Sequence, residues 1–434
     1  MLEQISLYVH PVSGASDEGA RRRVRWTPLA ASMAAILMAL DARGTLGERC
    51  RDGLACLSAD FTGKRGVGRT YNGLQKALER QSKSVPPLLR RGLRSHAREA
   101  LGILRRTDGW IVLAVDGSKA ELPRTVSNEG EFGLSDNGVV PQAFETVIVD
   151  VYTGLPWDWR VGQGKDCEKR HLQEMIPELP ADTLLLADCN FGGHPIWSAL
   201  DAKGLRFLIR VGGNASFVTG LFPDAKLDRR GDIIYAWPKK RQETEAPLRL
   251  RLIRVGTNSN PVYLVTNELD QKKLSKRQAG TLYRARWGAE LFYRTFKRTM
   301  GYAKLASRAG RRAKLELEWG LIAATIAILI GIRSLNRKGK DPRRLSPAAL
   351  LGALRACMRN ADPGSCASRV AARLARALKA ALKDNYTRFT SKRSRSTRIT
   401  KNTPKPLKLK PPRIRSATQA ERAAAARDHP QLAT

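Results

Sequence analysis

Two aspartates and one helical segment carry the residue types and spacings that could do chemistry. Asp116 ends the apolar run at 110–115 and is followed by Gly117 and Ser118. Asp188 ends the run TLLLA and opens onto Cys189, Asn190, Phe191, Gly192 and Gly193. Each reads as a carboxylate at the carboxyl end of a buried strand, the edge where open α/β sheets hold their ligands. Either one alone also fits a surface aspartate that starts a turn. Two such ends on one sheet bring two carboxylates together, which is costly unless a cation lies between them. Hard oxygen donors of this kind suit Mg²⁺ or Mn²⁺.

The third element is the stretch LYRARWGAELFYRTFK at 282–297. Within it Tyr283, Arg286, Glu290 and Lys297 have the spacing Y-x2-R-x3-E-x6-K. Offsets of 3, 7 and 14 from Tyr283 place all four on one face of an α-helix. Arg294 lies one turn beyond Glu290. A surface helix stitched by i,i+4 ion pairs has the same spacing, but Trp287, Phe292 and Phe296 predict that this helix also packs.

The composition names the class of partner. The chain has 434 residues and a hydrophobic fraction of 42%, enough for a sizeable core and against wholesale disorder. Its 77 Lys and Arg outnumber 40 Asp and Glu, a formal charge of +37. So large an excess calls for a polyanion, nucleic acid before an anionic membrane. The longest apolar stretch, 319–332, has 14 residues, where a spanning helix needs roughly 20. The first residues show no basic segment followed by an apolar one, so no export signal is expected. The six cysteines (50, 56, 167, 189, 357 and 366) form no C-x-x-C pair. That speaks against a zinc site of the usual spacing and against a disulfide framework, and for reduced thiols in a cytoplasm.

Pattern divides the chain into zones. Residues 1–106 read as helical, with an amphipathic basic helix at 70–81 that fits either a small DNA-binding unit or a solvated face. From 107 to 211, short apolar runs alternate with helical stretches, a mixed α/β layer whose first strands form a hairpin-like opening. Residues 212–271 read as a β-rich insertion. Residues 272–335 are strongly helical and carry Glu290, and helices continue through 336–386. The tail at 387–434 is basic: between 387 and 415 there are 11 Lys or Arg and no acid, with four prolines. It is expected to be disordered.

These residues resemble a known family. A strand followed by Asp116-Gly117-Ser118, a second strand followed by Asp188 and a Phe-Gly turn, and the Y-x2-R-x3-E-x6-K helix look like the DDE transposases of bacterial insertion sequences. The resemblance is to the IS-four family with its YREK signature, and it covers about 108–304. It implies an RNase H-like α/β core with a β-rich insertion between the second Asp and the Glu, a gap here of 290 − 188 = 102 residues. It implies Asp116, Asp188 and Glu290 as ligands of two Mg²⁺ or Mn²⁺ ions that cut element ends and join the freed 3′-OH to target DNA. Tyr283, Arg286, Arg294, Lys297 and Arg210 are the expected DNA contacts, Arg through its fork and Lys as a point charge. The implied partners are double-stranded DNA, as terminal inverted repeats and target, and a second copy in a synaptic complex. The implied setting is the bacterial cytoplasm at the nucleoid. A non-catalytic DNA-binding descendant of a transposase and another RNase H-like nuclease remain as alternatives.

Overall fold

The computed structural model describes residues 2–14, 25–41, 44–57, 67–102, 109–135, 138–237, 246–359, 376 and 410–432. The chain opens with helices α1 (Leu2–Val9), α2 (Pro28–Leu40), α3 (Leu46–Ala55), α4 (Tyr71–Gln81) and α5 (Val85–Gly102). Next come β1 (Ile111–Glu121), α6 (Val126–Phe132), β2 (Gln142–Asp150), β3 (Pro156–Gln163), α7 (Glu168–Met175), β4 (Thr183–Ala187), α8 (His194–Ala202) and β5 (Arg206–Val211). Strands β6 (Ser216–Thr219), β7 (Ile233–Ala236), β8 (Leu248–Thr257) and β9 (Asn260–Thr266) follow. Helices α9 (Lys276–Ala285), α10 (Trp287–Arg294), α11 (Gly310–Asn336) and α12 (Pro347–Arg359) come after them, and then β10 (Arg413–Ser416) and α13 (Gln419–Asp428).

The chain forms two compact units that interleave in sequence. One comprises 1–105, 117–167 and 288–388, the other 106–116, 168–287 and 389–434. Strand β1 contributes to both, its first half to the second unit and its second half to the first.

The first unit is helical around strands β1, β2 and β3, in that order, with β2 and β3 antiparallel. Helix α2 is buried from Ala30 to Leu40. It starts cleanly because Thr27 caps it, accepting from Ala30 N–H at 3.2 Å, and a proline follows the cap. The longest helix, α11, packs on α2 and α5. Its 27 residues exceed the length of the apolar run seen in the sequence and would reach across a bilayer, yet 94% of its apolar window is buried inside the protein. Buried Asp158 on β3 is met by Arg94 of α5 at 3.3 Å and by Arg160 at 3.2 Å. Trp157 and Trp159 pack in this sheet, 3% and 1% exposed.

The second unit is a sheet in the order β10-β6-β7-β8-β9-β5-β4-β1. Strands β1, β4 and β5 run parallel. Strand β5 then pairs antiparallel with β9, and β7 and β8 continue antiparallel from it. Strand by strand, a β1–β2–β3 run is followed by β4 and β5 parallel to β1, the mixed α/β order that the resemblance implies.

Two expectations need correction. Strand β1 does not stop at Asp116: the buried run ends at Val115, but the strand continues to Glu121. Small Gly117 and Ser118 do not interrupt the strand. The tail at 387–434 is not disordered as a whole. Arg413–Ser416 forms β10, which adds in parallel to β6, and α13 follows from a capping box on Thr418. Ala417 and Ala425 bury against Val218, Leu221, Phe222, Ile233 and Tyr235, with Leu432 and Trp237 packed at the margin. Backbone pairing and a few small apolar contacts order this segment despite its charge. The remainder of the expected tail, 387–409, and most of the helical stretch 360–386 lie outside the described residues.

Candidate active site

In the second unit the strand ends assemble the site. The parallel register pairs Ala114 of β1 with Leu186 of β4 as its last pair; continued two residues, that register would bring Asp116 level with Asp188. The β4–β5 register pairs Ala187 with Ile209, so one step further it sets Asp188 beside Arg210. Three adjacent strands thus deliver two carboxylates and a guanidinium in a row where the buried runs end. The backbone turns sharply after Asp188. Its Oδ1 accepts from Asn190 N–H at 2.9 Å, and Cys189–Phe191 forms a single 3₁₀ turn. Lys169 of α7 braces that turn by donating to the Gly192 carbonyl at 2.7 Å. His194 is the first residue of α8, behind the cap at Gly193.

Helix α9 brings the remaining groups of this unit. Ser275 and Gln278 form its capping box. Near its end the Arg286 guanidinium lies 5.9 Å from the centre of the Tyr283 ring, a cation–π distance. Burial pushes the Tyr283 hydroxyl up to about 12, with Arg286 and Arg210 opposing and Asp188 and Cys189 adding to it. Burial, then the Asp188 charge, raises the Cys189 thiol, while Arg210 and Arg286 pull it down. Those mutual influences place Arg210, Tyr283 and Arg286 around Asp188.

Glu290, Arg294 and Lys297 belong to the first unit. The four signature residues do not share one continuous α-helix. Helix α9 closes at Ala285, where Arg286 N–H turns back to the Tyr283 carbonyl at 3.1 Å, and α10 begins at Trp287. After Arg294 the winding changes to a π-turn over Thr295–Thr299, with Met300 N–H reaching the Thr295 carbonyl at 3.0 Å. A π-turn of this kind interrupts the 3.6-residue period, so Lys297 is rotated from the face that the offsets imply. Its ammonium donates to the Lys119 carbonyl of β1. Phe292 and Phe296 are buried and stacked at 5.7 Å, as expected of a packing helix, but Trp287 is 56% exposed and does not join them. Gly288 is required at its place: a Cβ there would come within 2.5 Å of the Val151 carbonyl.

One residue of this unit escaped the sequence reading. Glu145, in the middle of β2, is fully buried, and burial pushes its carboxyl up to about 8 while Lys297 pulls it down. The available signal was a single charge inside the apolar stretch AFETVIV.

Among the described residues no group of three His, Cys, Asp or Glu side chains is gathered closely enough to hold a metal ion. The Asp116–Asp188 pair supplies two hard oxygen donors, the donor type a divalent cation of the Mg²⁺ kind takes.

Residues 111–326 match the family described as the transposase DDE domain. Over 258 residues the chain is 24% identical to the transposase InsG for insertion sequence element IS4 of Escherichia coli (strain K12), covering 55% of this chain and 56% of that protein. The chain thus spans little more than half the length of that relative. Among solved structures, a piggyBac transposase synaptic complex with hairpin DNA aligns over 86% of this chain and 82% of its own, with a TM-score of 0.40 and 13% identity.

Proposed function

We propose, from the match to the transposase DDE domain and the likeness to an IS4 transposase, that the chain cleaves DNA strands at the ends of a mobile element and transfers the freed 3′-OH into target DNA. The observation that carries this reading is the parallel register of β1, β4 and β5, which brings Asp116, Asp188 and Arg210 level where the buried runs of the three strands end.

In this reading Asp116 and Asp188 would hold divalent metal, Mg²⁺ or Mn²⁺, and the resemblance adds Glu290 as the third ligand for two ions. Bound there, metal supplies activation of a water or 3′-OH and charge stabilisation of the leaving oxygen. The chain's own groups do the positioning. Arg210 and Arg286 neutralise phosphate oxygens near Asp188, and Tyr283, held against Arg286, orients that guanidinium. Arg294 and Lys297 hold the strand beyond. Because water or a 3′-OH is the nucleophile, no Ser, Cys or Tyr attack is needed.

The wider assembly follows the same proposal. The partners are terminal inverted repeats and target duplex, with a second copy of the chain in the synaptic complex, at the bacterial nucleoid. The helices of 1–106 are assigned to end recognition, and the excess of 37 positive charges supplies sequence-independent, salt-sensitive affinity.

The test is cleavage of a duplex carrying the gene's own flanking sequences, with Mg²⁺ or Mn²⁺, beside Glu290→Gln. Specific nicks lost in the variant, with binding intact, support the assignment. Binding without cleavage in either metal supports the non-catalytic alternative.

A further inference from the structure

In the first unit α1 packs on α11, and a cleft of about 180 Å³ opens between α1 and the end of α11. Gln4, Leu7 and Tyr8 line it from one side, Arg333, Arg337 and Lys338 from the other. Among the described residues no carboxylate lines it. Tyr8 is 1% exposed, yet its hydroxyl has no hydrogen-bond partner among the described residues. One turn earlier, the Gln4 Oε1 is likewise buried and unmet. A buried polar group left unsatisfied costs stability, so two lining one cleft call for a reason. The Tyr8 ring is also held in place. The Arg333 guanidinium lies 5.0 Å from its centre, and the His96 ring meets it edge-on at 4.9 Å. Arg333 is tied in turn to α5, donating to His96 Nδ1 and to a Glu99 carboxylate oxygen, each at 3.1 Å. Glu99 thus answers the Arg333 charge, whereas among the described residues no hydrogen bond or ion pair engages the side chains of Arg337 and Lys338.

We propose that this cleft binds the sugar–phosphate backbone of duplex DNA, a phosphate oxygen accepting from the Tyr8 hydroxyl while Arg337 and Lys338 balance its charge. The proposal rests on the reading of the chain as DNA-binding. Cations at a helix end also complement the helix dipole. That accounts for Arg337 and Lys338, but not for a buried hydroxyl and a buried amide left unmet beside them. Charge chooses the class of ligand, since the cleft offers cations without a carboxylate on a chain with an excess of 37 positive charges. Leu7, 55% exposed, offers an apolar surface to the deoxyribose next to the phosphate. Because Arg333 and His96 fix the Tyr8 ring beforehand, little side-chain freedom is lost when DNA arrives. Contacts of this kind carry no base information; they set where the duplex lies.

The test is the affinity of the full chain for a labelled duplex of unrelated sequence, read by fluorescence anisotropy over a range of salt. Tyr8→Phe keeps the ring and its contacts with Arg333 and His96. It is expected to weaken binding at least about fivefold, because a hydrogen bond to a charged oxygen is lost, while thermal stability stays level or rises, because none is lost within the protein. Its salt dependence stays that of the wild-type chain. Arg337→Gln with Lys338→Gln is expected to lower the slope of log K against log salt by about 2, and it carries the test should Tyr8→Phe not fold. Unchanged affinity in a folded Tyr8→Phe, or an unchanged slope in the double variant, overturns the proposal; duplex binding by the wild-type chain then leaves the DNA reading standing. Unchanged duplex affinity in Tyr8→Phe with lost binding to phosphatidylglycerol vesicles also overturns it, in favour of a membrane headgroup. A wild-type chain that binds no duplex at any salt overturns both.

Discussion

Asp116 and Asp188 each stand two residues beyond a paired position, Ala114 and Leu186, on neighbouring parallel strands. Equal offsets in a parallel ladder put two side chains level. Replacing either by Asn keeps the shape and removes one negative charge. Cleavage in Asp116→Asn or Asp188→Asn is expected to fall at least about 100-fold, since metal-assisted charge stabilisation contributes several kcal/mol. Duplex affinity stays level or rises, because a like charge facing the phosphates is gone. A nicking assay beside fluorescence anisotropy checks both halves. Retained cleavage sinks the metal assignment.

Arg210 and Arg286 flank Asp188 from β5 and from the end of α9. Each is expected to release about one counterion's worth of salt dependence, so Arg286→Ala lowers the slope of log K against log salt by about 1. Affinity measured from low to moderate salt gives the slope directly. An unchanged slope means that Arg286 serves only to hold Tyr283.

Gly288 precedes Glu290 by two residues and lies against the Val151 carbonyl, so Gly288→Ala forces a backbone shift. Overpacking of this kind costs about 1–3 kcal/mol. A denaturant melt reads the loss. Because α10 carries Glu290, cleavage is expected to fall further than DNA affinity does.

Glu145 gives stability a pH dependence with a definite sign. Its carboxyl is raised from the ordinary value to about 8 in the folded chain, chiefly by burial. The folded state therefore binds a proton that the unfolded state has lost. That contribution is complete below the ordinary carboxylate range and drains away as pH rises toward about 8. Glu145→Gln removes the drain. Between pH 5 and pH 8.5 the wild-type chain is expected to lose about 2–4 kcal/mol more than the variant. Parallel melts at the two pH values decide it, and curves that stay parallel refute it.

The segment 410–432 is held by small apolar contacts, Ala425 among them, 5% exposed. Ala425→Asp places an unpaired charge in that core and is expected to cost about 2 kcal/mol or more. Limited proteolysis should then cut at Lys410, Arg413 and Arg415, which the wild-type chain protects through β10.

The strand-end aspartates were legible because each closes a run of apolar residues, and a buried strand is the simplest thing such a run can be. The resemblance supplied Glu290, whose spacing alone fits any ion-paired helix. What spacing could not supply was the winding. Offsets assume one period, whereas the chain closes a helix at Arg286 and inserts a π-turn before Lys297. Glu145 stayed hidden because burial of a carboxyl depends on what covers the strand, and no local pattern states that. Strand β10 stayed hidden for a related reason. Its pairing is made by backbone groups, to which side-chain composition is nearly silent, and its apolar contribution is a few alanines.

Strand β10 meets a partner far behind it in the chain: Arg413 pairs with Ser216, a separation of 413 − 216 = 197 residues. At roughly 5–20 residues per second of synthesis, β6 waits about 10–40 s on the ribosome for the strand that covers it. During that interval an open sheet edge is available to any other extended segment, a neighbouring nascent chain included. Translation speed over the last two hundred codons thus becomes a variable in how much of the protein reaches its folded form.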